Sequence, residues 1–310
     1  VTRVAAVDCG TNSIRLLVTD LDPASGLQRD VDRRMRIVRL GQDVDRTGRL
    51  AAAALDRTMA ALAEYVEVIK ASGADTVRMV ATSATRDAEN ADEFVAGVRS
   101  LLGVDPEVVS GDDEAWLSFT GATRDLGATV PGPYLVVDIG GGSTEFVTGR
   151  STPEAARSVD IGAVRLTERC FAADPPTADQ VAAAVAAIDG ALDQVASAVP
   201  LTETATVIGL AGSVTTVGAI HLGLTEYDAA SIHHAQVPAA AVAEISDRLL
   251  AATHADRAAI PVIHPGRVDV IAAGALILRR VLERAGADGL LLSEHDILDG
   301  IAWSQLLNPR

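Results

Sequence analysis

The sequence predicts an α/β protein built as two similar domains, and three observations carry that prediction. A strand–turn–strand pattern occurs twice, as VAAVDCGTNSIRLLVTD at the start and LVVDIGGGSTEFVTG near the middle. Apolar stripes at helical spacing fill much of the remaining chain. At 310 residues and 48% hydrophobic content, the chain is long for one core and has ample apolar material for two.

The two hairpins share one layout. Each has an apolar run ending in Asp (Asp8, Asp138), a Gly two residues on (Gly10, Gly140) and a Ser five residues on (Ser13, Ser143), followed by another apolar run. After the first turn, Ile14, Leu16 and Val18 alternate with Arg15, Leu17 and Thr19, the period of a strand and not of a helix. A Walker loop or a dinucleotide fingerprint needs a Gly-rich turn leading into a helix, and neither spacing is present at either hairpin.

Helices are predicted over 51–72, closed by Gly73, and 92–102, closed by Gly103. Val181, Val185, Ile188, Leu192, Val195 and Val199 form a core-facing helical stripe, and further helices fit 239–252 and 268–285. A strand at 290–293 precedes a last helix over 296–307, expected to pack back on the first domain. The Gly-Pro-rich segment 127–133 divides a first domain, 1–126, from a second, 131–310, with the site expected in the cleft between them.

The formal net charge of −16 argues against a nucleic-acid binder and against anionic membranes as partners. Asp, Glu, Arg or Gln interrupts every Ala-rich stretch before it reaches the roughly 18 apolar residues of a membrane span. Val1 to Val7 reads as a buried strand meeting Asp8, not as a secretory signal. Cys9 and Cys170 lie far apart without metal-ligand spacing, which fits a reduced, cytoplasmic compartment.

The turns suggest a chemistry. Gly10, Thr11, Asn12 and Ser13 in one, and Gly140, Gly141, Gly142 and Ser143 in the other, would offer backbone N–H groups and a hydroxyl to phosphate oxygens. Asp8 and Asp138 would then sit beside phosphate, which makes electrostatic sense with a cation between them, Mg²⁺ or Mn²⁺. Asp with Gly is also an ordinary turn pair, so one hairpin alone would leave the structural reading ahead; the duplication reverses the preference. Gly209, Gly212 and Ser213 form a third Gly-rich turn, running into a stretch that reads as helical. In GDDEAW, Asp112 can N-cap a helix, with Asp113 and Glu114 favouring its positive end, so these acids alone could be ordinary capping. Arg15 and Arg267 are either phosphate contacts or, for Arg267, a helix flank. His233, His234 and His254 lack metal-ligand spacing.

DCGTNSIRLLV, ATSATRDAEN, SGDDEAWLSFTG and VVDIGGGSTEF, in this order, resemble the exopolyphosphatase and guanosine pentaphosphate phosphohydrolase family. The likeness continues through GLAGSVTTVGAI, PGRVDVIAAGALIL and SEHDILDGI. It implies two ribonuclease-H-like domains of the actin-like superfamily that includes sugar kinases and heat-shock chaperones. It also implies phosphate loops from both domains and hydrolysis between them. By the same resemblance Glu114 is the catalytic glutamate that activates water, and Arg86 contacts substrate phosphate; Glu145, two residues beyond Ser143, either binds the metal or positions the water, or is a solvated strand residue. Asp8, Asp138 and Glu145 are then the metal ligands. The sequence departs from the family pattern at Cys9 and in RVDV, read as a buried small residue and a neutral change. No counterpart of the longer members' C-terminal domain is expected.

The leading expectation is a hydrolase releasing the terminal phosphate of polyphosphate or guanosine pentaphosphate, short chains being preferred on an acidic surface. An actin-like kinase would need a productive acceptor, and a guanosine tetra- or pentaphosphate sensor would bind without turnover. Apolar helical faces in the second domain allow a homodimer.

Overall fold

The computed structural model describes residues 1–126 and 129–307 and resolves into two compact units. One unit comprises Val1–Gly121 together with the chain from Ile297 onward; the other is Ala122–Asp296.

In the first unit, β1 (Thr2–Cys9) and β2 (Ser13–Asp22) form an antiparallel hairpin, and β3 (Leu27–Ile37) pairs antiparallel with β2. Then come α1 (Val44–Thr47), α2 (Ala52–Ser72), β4 (Thr76–Ala81), α3 (Ser83–Arg86), α4 (Ala91–Leu102), β5 (Glu107–Val108) and α5 (Gly111–Thr123). The sheet order is β3-β2-β1-β4-β5, with β4 parallel to β1 and β5 parallel to β4. Helices α2 and α4 stop at Gly73 and Gly103, whose positive φ of 66° and 78° suits only a residue without Cβ strain. Alternation along β1 serves two layers. Ala5, Val7 and Cys9 pack with Leu62 and Tyr65 of α2 and Phe94 and Val98 of α4, while Val4 and Ala6 belong to the opposite layer. Cys9 is therefore a buried core residue, and burial, then the charge of Asp8, pushes its thiol up, which keeps it protonated.

The second unit opens with the hairpin β6 (Tyr134–Ile139) and β7 (Thr144–Gly149), with β8 (Pro153–Val159) beyond it. It continues through α6 (Ala163–Cys170), α7 (Ala178–Ala196), β9 (Thr206–Leu210), α8 (Ala211–His221), α9 (Ala229–Ile232), β10 (Gln236–Pro238), α10 (Ala239–Ala251) and α11 (His254–Ala258). A 3₁₀ turn at Pro265–Arg267 precedes α12 (Ile271–Ala285) and β11 (Gly289–Leu292), so the helix expected from residue 268 starts three residues later. The strand order β8-β7-β6-β9-β11 repeats that of the first unit, with β10 added antiparallel at the edge. Leu135, Val137, Ile139 and Phe146 face a core shared with α6, α7, α8, α10 and α12.

The last helix, α13 (Ile297–Leu307), belongs to the first unit. Ile297, Leu298, Ile301, Ala302 and Trp303 cover Val4, Ala6, Leu17, Leu21 and Val80. Trp303 Nε1 donates to Gln28 Oε1 at 2.8 Å, and Gly300 sits where any Cβ would overlap the Leu117 carbonyl. The units divide at Gly121/Ala122, inside α5, and not at the Gly-Pro-rich segment, of which Gly127 and Ala128 lie outside the described residues. Among the described residues no helix is long and apolar enough to cross a membrane.

Candidate active site

The first loop, Gly10 to Ser13, joins β1 to β2 and is closed by Gly10 N–H donating to Ser13 O at 3.0 Å. Its carbonyls are engaged from outside: Thr11 O accepts from Gly41 N at 2.8 Å, and Asn12 O accepts from Val38 N and Arg39 N at 3.0 and 2.9 Å. Gly41 is required there because a Cβ would overlap the Thr11 side chain. Thr11 and Ser83 share a buried hydroxyl–hydroxyl bond of 2.9 Å, which ties the loop to the start of α3. At the strand end, Asp8 and Arg15 are register partners, and Arg15 donates to Asp8 Oδ2 from Nη2 (2.6 Å) and Nε (3.0 Å). Arg15 is thus placed on Asp8, 3% exposed, with a strong charge-assisted pair.

Arg86 ends α3, the single turn that follows β4. Its Nη1 donates to Val109 O at 3.0 Å and to Glu114 Oε2 at 3.3 Å. Glu114 lies in the first turn of α5, 8% exposed, with its N–H donating to Ser110 O at 3.0 Å. Asp112 does not cap this helix. Ser110 does: its Oγ accepts from Asp113 N (3.1 Å) and donates to Asp113 Oδ2 (2.7 Å), because the helix begins one residue before Asp112. That leaves Glu114 as a buried carboxylate at the positive end of a helix, oriented by a guanidinium.

The second loop repeats the first. Gly140 N–H donates to Ser143 O at 3.0 Å, the same bond in the same position. Here the loop carbonyls are held by a helix: Ala163 N donates to Gly140 O at 2.9 Å, and Val164 N and Arg165 N donate to Gly141 O at 2.9 and 3.0 Å. The first-turn amides of α6, which lack partners within the helix, are satisfied by the loop. Gly162 permits this approach, since a Cβ there would overlap the backbone of Gly141. At the strand end the register partners are Asp138 and Glu145, 7% and 1% exposed. Directly opposed residues share a face of the sheet, with Cβ atoms about 4.5–5.5 Å apart. Ser158, the register partner of Glu145 on β8, donates to its carboxylate at 2.7 Å.

Two facing buried acids are unfavourable unless a proton or a cation joins them. Their oxygen donors suit a hard divalent ion, so the residues present fit Mg²⁺ or Mn²⁺. The first unit differs, because Arg15 already supplies Asp8 with positive charge.

The third Gly-rich turn ends β9 and begins α8, so Gly212 and Ser213 lie in the first helical turn. Arg267 lies against Gly212 so closely that a Cβ would overlap its guanidinium, and Gly274 makes the same room for Ser213. Gly212, Ser213 and Arg267 are therefore one cluster within the second unit. Tyr227 stands nearby, its hydroxyl donating to Glu294 Oε1 at 2.5 Å and accepting from the Thr215 hydroxyl at 2.7 Å, with the residue 43% exposed. Sequence reasoning missed Tyr227, Ser83 and Ser158. Only the pairing of β7 with β8 could have exposed the last, and no local signal marks the others.

The chain matches the Ppx/GppA phosphatase family over residues 19–308. It is 50% identical to Exopolyphosphatase 2 of Mycobacterium tuberculosis, covering 98% of each chain. It is 28% identical to the guanosine-5'-triphosphate,3'-diphosphate pyrophosphatase of Aeromonas salmonicida, covering 98% of this chain and 59% of that one. The crystal structure of an exopolyphosphatase-like protein superposes with a TM-score of 0.94 at 42% identity, over 99% of this chain and 100% of that one. The repeated strand order is the ribonuclease-H-like arrangement of actin-like proteins. The chain belongs to the Ppx/GppA phosphatase family.

Proposed function

We propose that this phosphohydrolase removes the terminal phosphate of short inorganic polyphosphate or of guanosine pentaphosphate, one phosphate at a time. The observation that carries the reading is the recurrence of one loop, closed by one hydrogen bond, in both units, each behind a strand whose last residue but one is a buried Asp. The names of the relatives support the two substrates, and the 50% identity to an exopolyphosphatase favours polyphosphate.

In each unit the turn amides and hydroxyls, Thr11 and Ser13 in the first and Ser143 in the second, are phosphate-oxygen donors, and Gly212, Ser213 and Arg267 are a further anion-binding cluster of the second unit. Glu114 accepts a proton from water as the water oxygen attacks the terminal phosphorus, and Arg86 orients that carboxylate and faces the departing charge. The bond from phosphorus to the bridging oxygen breaks, giving orthophosphate and a chain shorter by one. Asp138 and Glu145 are the residues that hold Mg²⁺ or Mn²⁺, and the ion when bound supplies neutralising charge to the phosphoryl oxygens. Asp8 and Arg15 act as one neutral pair beside the first loop, sparing the substrate a bare carboxylate.

The test is orthophosphate release by the purified chain with Mg²⁺ from short polyphosphate, long polyphosphate, guanosine pentaphosphate and ATP. Release from the first or third well above ATP is expected. Binding without release from any of them overturns the hydrolase, and transfer from ATP to an acceptor overturns it in favour of a kinase.

A further inference from the structure

The second unit also gathers three imidazoles around one carboxylate. Asp125 Oδ2 lies 2.8 Å from His233 Nε2 and 3.0 Å from His295 Nδ1. One ligand atom from each of these residues lies within 4.8 Å of the others. His234 stacks on His233 with ring centroids 3.8 Å apart. Its Nε2 is buried without a hydrogen bond, 3.7 Å from Asp125 Oδ1. The backbone holds His234 there in the left-handed region, φ 63°, with its N–H on Leu292 O at 2.8 Å. Spacing in the sequence hides this set, because Asp125 and His233 are 108 positions apart. His254, by contrast, lies on Asp269 at 3.1 Å.

We propose that Asp125, His233 and His295, with His234 in reach as a fourth donor, form a site for a borderline divalent transition-metal ion of the zinc class. The donor set decides the class: imidazole nitrogens with one carboxylate oxygen suit zinc and its neighbours, whereas Mg²⁺ takes oxygen ligands. Ligation at about 2.0–2.1 Å sets tetrahedral ligand atoms about 3.3 Å apart, so the two close pairs open slightly on uptake. An ion also gives the buried His234 nitrogen a partner. Uptake carries one cost. His233 Nδ1 accepts Glu294 N–H at 3.1 Å, so its proton is on Nε2; binding there moves that proton to Nδ1 and releases the Glu294 amide. The ion is thereby linked to the segment leading into α13. Its other anchor, Asp125, follows α5, so the site ties together two ends of the second unit's own chain.

The experiment uses the full chain, stripped with chelator and dialysed against Zn²⁺ in excess Mg²⁺, with bound zinc counted and a parallel Co²⁺ titration followed by visible absorption. About one zinc per chain is expected, undisturbed by Mg²⁺, with the strong cobalt bands of low-coordinate nitrogen ligation. Asp125→Asn and His295→Gln, checked for folding by circular dichroism, should each weaken binding about tenfold or more. No retained zinc, six-coordinate cobalt spectra in the unaltered chain, or equal zinc in folded variants would overturn the site. Ion counting does not read phosphate release, so it fails or succeeds independently of the proposed hydrolysis.

Discussion

Asp138 and Glu145 face each other across β6 and β7 at the position where Asp8 and Arg15 face each other across β1 and β2. One duplicated hairpin has thus become a salt bridge in the first unit and a pair of acids in the second. The acids should be the more sensitive to divalent ions. Glu145→Gln is expected to raise the Mg²⁺ concentration for half-maximal phosphate release by at least about tenfold. Arg15→Gln should leave that concentration within about twofold. A titration of rate against Mg²⁺ separates them, and equal shifts would show that the first hairpin also holds the ion.

Ser158 orients Glu145 through its 2.7 Å bond. Replacing it with Ala should cost about 10–100-fold in metal affinity while saturating Mg²⁺ restores most of the rate. A loss of kcat that Mg²⁺ cannot recover would instead place Ser158 on the substrate.

Glu114→Gln keeps the shape and the helix position but removes the proton acceptor. A fall in kcat of about 10²–10⁴-fold, with KM changed only a few-fold, is the expected result of steady-state kinetics. Near-normal turnover would eliminate Glu114 as the base.

Gly162→Ala should damage the second loop without touching an ionisable group. The added methyl meets the Gly141 backbone, which cannot move aside as a flexible side chain would, so α6 must shift away from its loop carbonyls. A loss of about 1–3 kcal/mol in denaturant unfolding, with activity lost in the folded fraction, is expected.

Asp20 gives a pH-dependent element in the first unit. Hydrogen bonding from Arg3, opposed by burial and helped by Arg29, holds its carboxyl down at about 2, against an ordinary value of 3.8. A depressed acid contributes stability above its unfolded value and loses it as pH falls through the folded one. The melting-temperature gap between the unaltered chain and Asp20→Asn should therefore close as pH falls from about 4 toward 2.

Much of this architecture was legible in the sequence because its signals are local. The apolar run, Asp, Gly and Ser of each hairpin fix strand, turn and strand within a few residues, and Gly73 and Gly103 mark helix ends by backbone geometry alone. β3 was not legible: its residues are largely exposed and charged, held in register by β2 without an apolar alternation of its own. The cap of α5 was misread at Asp112 because Ser110, Asp112 and Asp113 are all competent caps, and only the helix start decides among them. At the site, the loops could be read but their supports could not. Gly41, Gly162 and Ser158 act through contacts made by distant segments, and the Asp125 cluster is assembled entirely by tertiary packing.

The placement of α13 has a consequence for synthesis. Trp303 and its neighbours complete the layer beneath Val4, Ala6 and Leu17, so the first unit cannot finish its own core until the chain beyond the whole second unit has been made. The second unit is continuous in sequence and can fold while the earlier strands still wait, a vectorial order in which the N-terminal sheet is the late partner and is exposed longest to chaperones and to misassembly.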